Sequence, residues 1–200
     1  MNEQQRTILA IASRVMSYPS ESSAEEREHI DEAVDENIES ADIRKHLRAA
    51  LAPLDALSTR DIQEIYVSTF DLKSKTGMYL TAHEFGDSPK RGAAMIKLQK
   101  IINEAGFERT EGELTDYIPM LFEFMAVSPE DAHHERLQRR LANVGQRMLN
   151  HLEEENPYFP FLTLVMTEVF PKPTDEEVAQ LERDREEADL EELPYPIMYQ

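Results

Sequence analysis

The chain has 200 residues, of which 40 are Asp or Glu and 21 are Lys or Arg, and its formal net charge is −19. A chain of this length can bury roughly 70% of its unfolded surface as one domain. Its acidic balance repels phosphate backbones and anionic membrane surfaces, which argues against nucleic acid or lipid as a partner, and the absence of cysteine excludes disulfides, thiolate metal sites and cysteine nucleophiles.

The first predicted element is a helix over Gln4–Ser17, where apolar residues recur at offsets of 0, 3, 4 and 7. Tyr18-Pro19 ends it, because the residue before a proline avoids helical geometry. The opening residues have no basic n-region, no long apolar block and no small-residue cleavage site. No stretch reaches the roughly 18 apolar residues of a membrane span. We therefore expect a cytoplasmic protein without direct membrane insertion.

Three more helices are predicted before residue 71. Ser-x-x-Glu capping boxes at Ser22 and Ser23 predict a second helix to about Ser40. Its region, residues 21–42, carries ten acids and one Arg, which we interpret as a solvated face rather than a site for a basic ligand. A third helix should end or kink at Pro53, and a Ser-x-x-Asp cap at Ser58 opens the fourth.

The central stretch Tyr66–Val127 alternates helix-like apolar runs with sharp turns. Its charge is nearly balanced, with seven Lys and Arg against nine Asp and Glu. A short helix is predicted over Met78–Phe85, and a sixth helix should begin at Ser88-Pro89, since Ser caps and Pro is preorganised for the first turn. A seventh is predicted over Asp116–Val127.

Four residues of this stretch are predicted to serve the backbone at turns: Gly86, Gly92, Gly106 and Pro119. Gly86 and Gly92 would allow turn geometry and close helix packing. Gly106 suits the left-handed position after the sixth helix, with Phe107 folding back onto Ile102.

The eighth helix should begin at Ser128-Pro129 and carry apolar residues at alternating spacings of four and three as far as Leu152. We interpret that face as packed within a bundle rather than as a coiled coil. A ninth helix over Tyr158–Phe170 is apolar almost all round, which places it at the centre. From Lys172 the chain has ten acids and three bases.

These elements predict an all-α protein, since no stretch shows strand alternation or a hairpin dipeptide between apolar runs. Residues 1–171 should form a single-domain helical bundle of about eight to nine helices, and we expect residues 172–200 to form an acidic, partly disordered and flexible tail. Only Val178 and Leu181 could anchor a helix begun by the Thr174-x-x-Glu177 pattern.

No catalytic set, metal site or cofactor site is predicted. His83-Glu84 begins like a zinc-protease motif, but Asp87 stands where the second histidine is needed. His133 and His134 open a helix and point in different directions. Two alternatives stay open: a metal-dependent hydrolase using His83, Asp87 and the His133-His134 pair, and a helical adaptor that self-associates through the Leu137–Leu152 face.

Binding has positive support in three stretches rich in aromatic residues and Met, namely Tyr66–Phe70, Met78–Phe85 and Tyr117–Phe124. Carboxylates are interleaved with them. Met adapts to varied apolar partners, so a groove of this composition could take an amphipathic helix whose other face is basic. The alternative is that these stripes form the protein's own core.

A series of motifs adds a resemblance that covers about a third of the chain. The motifs are Y-V-x-T-F-D (Tyr66 to Asp71), M-Y-L-T-x-H (Met78 to His83), G-D-x-x-x-R-G (Gly86 to Gly92), A-G (Ala105-Gly106) and E-L-x-D-Y-x-P with L-x-E-F (Glu113 to Phe124). In this order and spacing they resemble the NarJ branch of the TorD/DmsD family of molybdoenzyme chaperones. Thr115 stands where the family's last block usually has Pro.

The resemblance implies an all-helical cytoplasmic chaperone, not an enzyme, for respiratory nitrate reductase. Its partner would be the catalytic (alpha) subunit, bound through the N-terminal segment and held until the molybdenum cofactor and the iron–sulfur cluster are inserted. Molybdenum cofactor delivery proteins are further possible partners. A chaperone for a dimethyl sulfoxide or trimethylamine oxide reductase is the alternative within the same family.

The hypothesis for the site is a groove that captures a helix. The predicted peptide-binding residues are Tyr66, Phe70, Asp71, Tyr79, Leu80, His83, Phe85, Asp87, Glu113, Asp116, Tyr117, Glu123 and Phe124. The aromatic and apolar members would line or support the groove, and the acids would accept charge-assisted hydrogen bonds from Arg or Lys of the peptide. Arg91 is expected to pair internally with one of these acids.

Overall fold

The structure is a computed structural model that describes residues 1–20, 23–108 and 112–190, with ten α-helices and no β-strand in those ranges. The helices are α1 (Glu3–Val15), α2 (Ser23–Asn37), α3 (Ala41–Asp55), α4 (Thr59–Phe70), α5 (Leu80–Phe85), α6 (Lys90–Glu104), α7 (Ile118–Val127), α8 (Ala132–His151), α9 (Phe159–Glu168) and α10 (Asp175–Leu190). The predicted all-α class is confirmed. The predicted cap at Ser22 lies outside the described residues.

The core is built around α9, whose apolar circumference had predicted a central position. Phe161 and Val165 of α9 are completely buried, and the helix packs against α1, α3 and α8. Gly145 of α8 faces Met166 of α9, and a Cβ at Gly145 would lie 2.3 Å from the sulfur of Met166. A larger residue at position 145 would therefore require the flexible Met166 side chain to shift.

The first helix is fixed along α7 by both apolar contacts and a charged side chain. Ile8 and Leu9 are fully buried. Arg6 donates from Nη1 to the carbonyl oxygens of Ala126 (2.8 Å) and Ser128 (3.0 Å) at the C-terminal end of α7. Those carbonyls have no partner within their own helix, and a cation there is favoured by the helix dipole.

Several helix boundaries differ from the prediction for a local reason. The predicted start of the eighth helix at Ser128-Pro129 is wrong. Asp131 is the N-cap, and its side chain accepts from the backbone N–H groups of His133 (2.9 Å) and His134 (2.8 Å). The third helix continues through Pro53 and ends at Asp55. The apolar face of α8 lies in the core, as predicted for a bundle, with Leu141 only 2% exposed.

The acidic tail begins with a packed helix. A capping box joins Thr174 and Glu177, whose backbone N–H groups each donate to the other's side chain. Helix α10 then packs against α5 and α8, with Leu181 against the core. The helix expected from the Thr174-x-x-Glu177 pattern is therefore present and anchored through Leu181, while residues 191–200 lie outside the described residues.

The predicted turn residues serve different purposes. Gly86 ends α5 at φ 57°, and Gly106 follows α6 at φ 85°, where the N–H of Phe107 donates to the carbonyl of Ile102 as predicted. Pro119 lies in the first turn of α7. Gly92 corrects the prediction: it lies inside α6, and a Cβ there would meet nothing within 4 Å. It serves neither a turn nor a close contact.

None of the described helices combines the length and the apolar character that crossing a membrane requires.

Candidate functional site

A cavity of about 720 Å³ opens beside α4 and α5, where the chain segments around residues 71–79 and 113–117 meet. Eight of the thirteen predicted site residues line it: Tyr66, Phe70, Asp71, Tyr79, His83, Asp87, Glu113 and Tyr117. Its size is in the range of ligand-binding pockets. The cavity therefore brings together these eight residues, which are up to about fifty positions apart in the sequence.

A short antiparallel β-bridge between Tyr79 and Tyr117 joins the two segments. The N–H of Leu80 donates to the carbonyl of Asp116, and the N–H of Ile118 donates to the carbonyl of Met78, both at 2.8 Å. These bonds supply partners for N–H groups at the start of α5 and α7, which otherwise have none within a helix. For this reason each helix begins two residues later than predicted.

Aromatic rings form the apolar wall of the cavity. Tyr66 packs edge-on against Phe70 (5.0 Å between centroids) and Tyr18 (5.5 Å), and the rings of Tyr79 and Tyr117 lie 5.6 Å apart. Such edge-to-face pairs add about 0.5–1.5 kcal/mol beyond their buried area. These ring contacts therefore stabilise the wall.

The phenol groups behind this wall are held neutral. The hydroxyls of Tyr66 and Tyr117 lie 3.2 Å apart, and that of Tyr66 donates to the carbonyl of Met16 at 3.3 Å. Burial raises the pKa of both phenols, and it also raises the pKa of Tyr79, with a smaller contribution from Glu113. These groups offer hydrogen bonds and apolar surface to a partner but no negative charge.

Carboxylates are placed at the rim. Asp71, Asp87 and Glu113 are exposed and line the opening. Among the described residues, neither Asp71 nor Asp87 has an ion-pair partner. Two cations, Lys73 and Arg91, also line the cavity. Because the three carboxylates outnumber the two cations, the rim can attract a basic partner.

Asp116 corrects the prediction that it would receive a basic residue of the peptide. It is completely buried, accepts from the hydroxyl of Thr81, and lies 3.5 Å from Nη2 of Arg91. The internal pairing expected for Arg91 is confirmed, and its guanidinium also lies 5.9 Å from the centroid of the Tyr79 ring. Asp116 therefore positions Arg91 and the cavity wall rather than facing a partner.

His83 lines the cavity but is committed to the protein itself. Its Nε2 lies 2.6 Å from the carbonyl of Gly77, and its Nδ1 lies 2.8 Å from Nη1 of Arg147. Arg147, which is 3% exposed, also donates to the carbonyl of Ser74 (2.8 Å) and to Glu182 (2.9 Å). His83 and Arg147 together hold the loop 71–77 that forms one side of the rim.

The remaining predicted residues lie away from the cavity. Leu80 is fully buried in the core, and Phe124 packs against Phe107 at 5.7 Å. Glu123 is exposed and lies 3.8 Å from Arg14. Phe85 is half-buried and does not line the cavity. Helical spacing alone could not separate these residues from those that face the opening.

Several lining residues had no prediction. Tyr18 ends the first helix in the sequence pattern, and in the structure its exposed side chain also lines the cavity. Gly77 approaches the carbonyl oxygen of Lys73 so closely that a Cβ would lie 2.5 Å from it. Arg147 could not be found from the sequence, because it lies about seventy positions from the loop that it holds.

The alternative metal site is not supported by the structure. His83 contacts Arg147 near the C-terminal end of α8, whereas His134 lies in the first turn of that helix with its ring against the carbonyl of Met125. Within the described ranges no three His, Asp or Glu side chains are grouped so that they could hold a metal ion. The self-association alternative is weakened too, because Leu137 and Leu152 are buried in the core.

Comparison with known proteins supports the resemblance. Residues 27–162 match the protein family described as nitrate reductase delta subunit. The chain is 31% identical over 169 residues to the probable nitrate reductase molybdenum cofactor assembly chaperone NarJ of Bacillus subtilis (strain 168), which covers 83% of this chain and 90% of that relative.

Two further relatives share parts of the chain. The nitrate reductase molybdenum cofactor assembly chaperone NarJ of Escherichia coli (strain K12) is 29% identical over 132 residues, which are 65% of this chain and 56% of that relative, so the chain spans little more than half of its length. The nitrate reductase-like protein NarX of Mycobacterium tuberculosis (strain H37Rv) is 36% identical over 66 residues, 32% of this chain and 10% of that protein.

Proposed function

Because the chain belongs to the nitrate reductase delta subunit family, as a NarJ-type assembly chaperone, we propose that it captures the N-terminal segment of the catalytic subunit of a respiratory nitrate reductase. The observation that carries this proposal is the cavity with an aromatic wall and an acidic rim. An amphipathic helix with one apolar face and one basic face fits that combination.

The apolar contribution comes from the wall of Tyr66, Phe70, Tyr79 and Tyr117. A volume of about 720 Å³ accommodates side chains from one face of a helix rather than the helix itself. The partner's backbone would therefore lie across the opening while its apolar side chains enter. Burying one such side chain stabilises the complex by about 1.5–3 kcal/mol before the costs of association.

The polar contribution comes from Asp71 and Asp87. Both carboxylates are exposed and have no ion-pair partner among the described residues. An Arg or Lys on the partner would form charge-assisted hydrogen bonds with them, and such bonds are about twice as strong as those between neutral groups. The overall charge of −19 would also speed the encounter with a basic segment.

In this function the chaperone binds in the cytoplasm and keeps the catalytic subunit immature. It would hold that subunit until the molybdenum cofactor and the iron–sulfur cluster are inserted, and it would delay docking to the membrane subunit. Molybdenum cofactor delivery proteins would meet the complex at that stage. The phenols of the cavity are neutral and His83 is held by Gly77 and Arg147, which fits a binding role.

The proposal is tested by calorimetric titration with a synthetic peptide of the catalytic subunit's N-terminal segment. Asp71→Asn combined with Asp87→Asn should weaken binding about ten-fold or more, and Tyr79→Ala should do so as well. Glu123→Gln is the matched control, because Glu123 is an exposed carboxylate away from the cavity. Absence of binding to the unaltered protein would overturn the proposal.

Ionic strength gives a second test of the carboxylates. Binding through exposed charges should weaken as salt rises, because the screening length falls from about 10 Å at 0.1 M to about 3 Å at 1 M. Affinity that salt leaves unchanged would remove the carboxylates from the proposal and leave apolar capture.

The alternative partner is another molybdoenzyme, of the dimethyl sulfoxide or trimethylamine oxide reductase type. Purification of the tagged chain from its own cells, followed by identification of the bound large subunit, distinguishes the two. If the large subunit no longer co-purifies with the tagged chain once the first residues of that subunit are deleted, capture at its N-terminal segment is supported.

A further inference from the structure

We propose that Leu72 is a preformed apolar anchor at the rim of the cavity, which inserts against the apolar face of the bound helix. This inference rests on the proposed function and adds a residue that determines affinity. Leu72 is the only leucine in the polar loop 71–77, and the loop lines the opening through Asp71, Leu72, Lys73 and Ser74.

The backbone of Leu72 is strained. Its φ is 53°, and it is the only residue other than glycine with a positive φ in the part of the chain that the structure describes. For an L-residue the left-handed region is disfavoured, and residues other than Gly, Asn and Asp seldom adopt it. Such strain persists only where the surrounding structure imposes it, and it is concentrated at functional sites.

The strain is imposed by the ends of the loop. On one side, the N–H of Asp71 donates to the carbonyl of Val67 at 3.1 Å. On the other, Arg147 holds the carbonyl of Ser74, and His83 holds that of Gly77. Since Arg147 and His83 are both buried, the loop is held by side chains from the interior of the protein. Leu72 is therefore presented in one conformation.

The strain does not serve the protein's own packing, because the side chain of Leu72 is fully exposed (105%). Single exposed apolar residues are common and need no explanation. Ile96 on α6, for example, is 74% exposed in ordinary helical backbone. Leu72 differs because exposure, backbone strain and a place on the cavity rim coincide in one residue.

The neighbours of Leu72 define what it would contact. Asp71 precedes it with a carboxylate that has no ion-pair partner among the described residues, and Phe70 lies within the aromatic wall. The occupant is thus a helix with a basic residue for Asp71 and, three or four positions away, an apolar residue that covers Leu72. This is the amphipathic pattern required of the catalytic subunit's N-terminal segment under the proposed function.

The test compares the unaltered full chain with Leu72→Asn, Leu72→Met and Ile96→Asn in titrations with the same synthetic N-terminal peptide. Asn tolerates the left-handed region, so Leu72→Asn removes the apolar group without adding strain. We expect Leu72→Asn to raise Kd about ten-fold, which corresponds to about 1.4 kcal/mol. Leu72→Met and Ile96→Asn should stay within about two-fold of the unaltered chain, and thermal unfolding should show that Leu72→Asn is no less stable.

A fluorescence measurement checks contact directly, because the chain contains no tryptophan. A tryptophan introduced by Leu72→Trp should shift its emission to shorter wavelength when the peptide binds, whereas one introduced by Ile96→Trp should not. If the unaltered chain binds the peptide while Leu72→Asn binds equally well, the anchor is refuted and the proposed function stands. If the unaltered chain does not bind it, both fail together.

Discussion

Arg147 of α8 donates from Nη1 to Nδ1 of His83 in α5 at 2.8 Å, with both side chains buried. Because a guanidinium can only donate, Nδ1 must accept, and the proton of the neutral imidazole is on Nε2, which donates to the carbonyl of Gly77 at 2.6 Å. One contact between two helices therefore sets both the histidine tautomer and the position of the cavity rim.

Replacing Arg147 should be strongly destabilising. Arg147→Ala leaves Glu182, His83 and the carbonyl of Ser74 without their donor, and breaking a buried charged network of this kind costs about 3–5 kcal/mol. Urea unfolding measures the loss. Arg136→Ala, an exposed arginine on the same helix, should change stability by less than about 0.5 kcal/mol. Similar values for the two variants would show that the network does not stabilise the fold.

The packed part of the tail should contribute to stability. Glu182→Ala removes the acceptor of Arg147 Nε at 2.9 Å, and leaving that buried donor unsatisfied costs about 1–3 kcal/mol. Glu176→Ala, an exposed acid of the same helix, is the control and should be nearly neutral. Chemical denaturation compares them. A chain shortened to residues 1–171 should also unfold at lower urea, whereas equal stability would support the predicted boundary at residue 171.

The cap of α8 predicts a dependence on acid. Hydrogen bonds from the backbone N–H groups of His134 and His133 lower the pKa of Asp131. A lowered pKa in the folded state means that the contribution is complete above the unfolded value of about 3.9 and is lost as pH falls through the lower folded value. Asp131→Ala should thus be less stable than the unaltered chain at pH 7, with the gap narrowing below about pH 4.

Thermal unfolding measured between pH 7 and pH 3 gives the difference in stability between Asp131→Ala and the unaltered chain. Asp131→Asn keeps an oxygen that can cap the helix but has no titrating group, so it should lie close to the unaltered chain at neutral pH. A gap between Asp131→Ala and the unaltered chain that stays constant down to pH 3 would contradict the assignment.

Gly92 and Gly86 form a contrasting pair. Gly92→Ala should raise stability by about 0.5–1 kcal/mol, because Gly92 lies in a helix with free space around its Cα and glycine loses more chain entropy than alanine. Gly86→Ala should lower it by about 1–3 kcal/mol, since φ is 57° there. Denaturation midpoints provide the measurement, and equal effects at the two glycines would contradict this account.

The helices themselves could be predicted to within a few residues, because their signals are local. Apolar spacing, capping boxes and prolines act over one or two helical turns, so the sequence alone is enough to predict the helices from them. Two of the boundaries that failed depended on distant partners. Helix α5 begins at Leu80 and α7 at Ile118 because each segment bonds to the other across the Tyr79–Tyr117 bridge.

The sequence predicted which types of residue form the candidate site, but not which individual residues line the cavity. Aromatic residues and carboxylates at helical spacing identified the region, yet the same spacing includes both the buried Asp116 and the exposed Asp71. Leu72 had no sequence signal at all, because its positive φ is imposed by a loop fastened through Arg147 and His83.

By itself the sequence determined the all-α class, the acidic character and the ordered motifs of the family, because periodicity, charge and spacing are properties of neighbouring residues. Only the tertiary structure decided which side chains face the cavity, that Asp116 forms an ion pair with Arg91, and that the tail packs through Leu181. These depend on contacts between residues far apart in the chain, whose geometry is set when the helices pack.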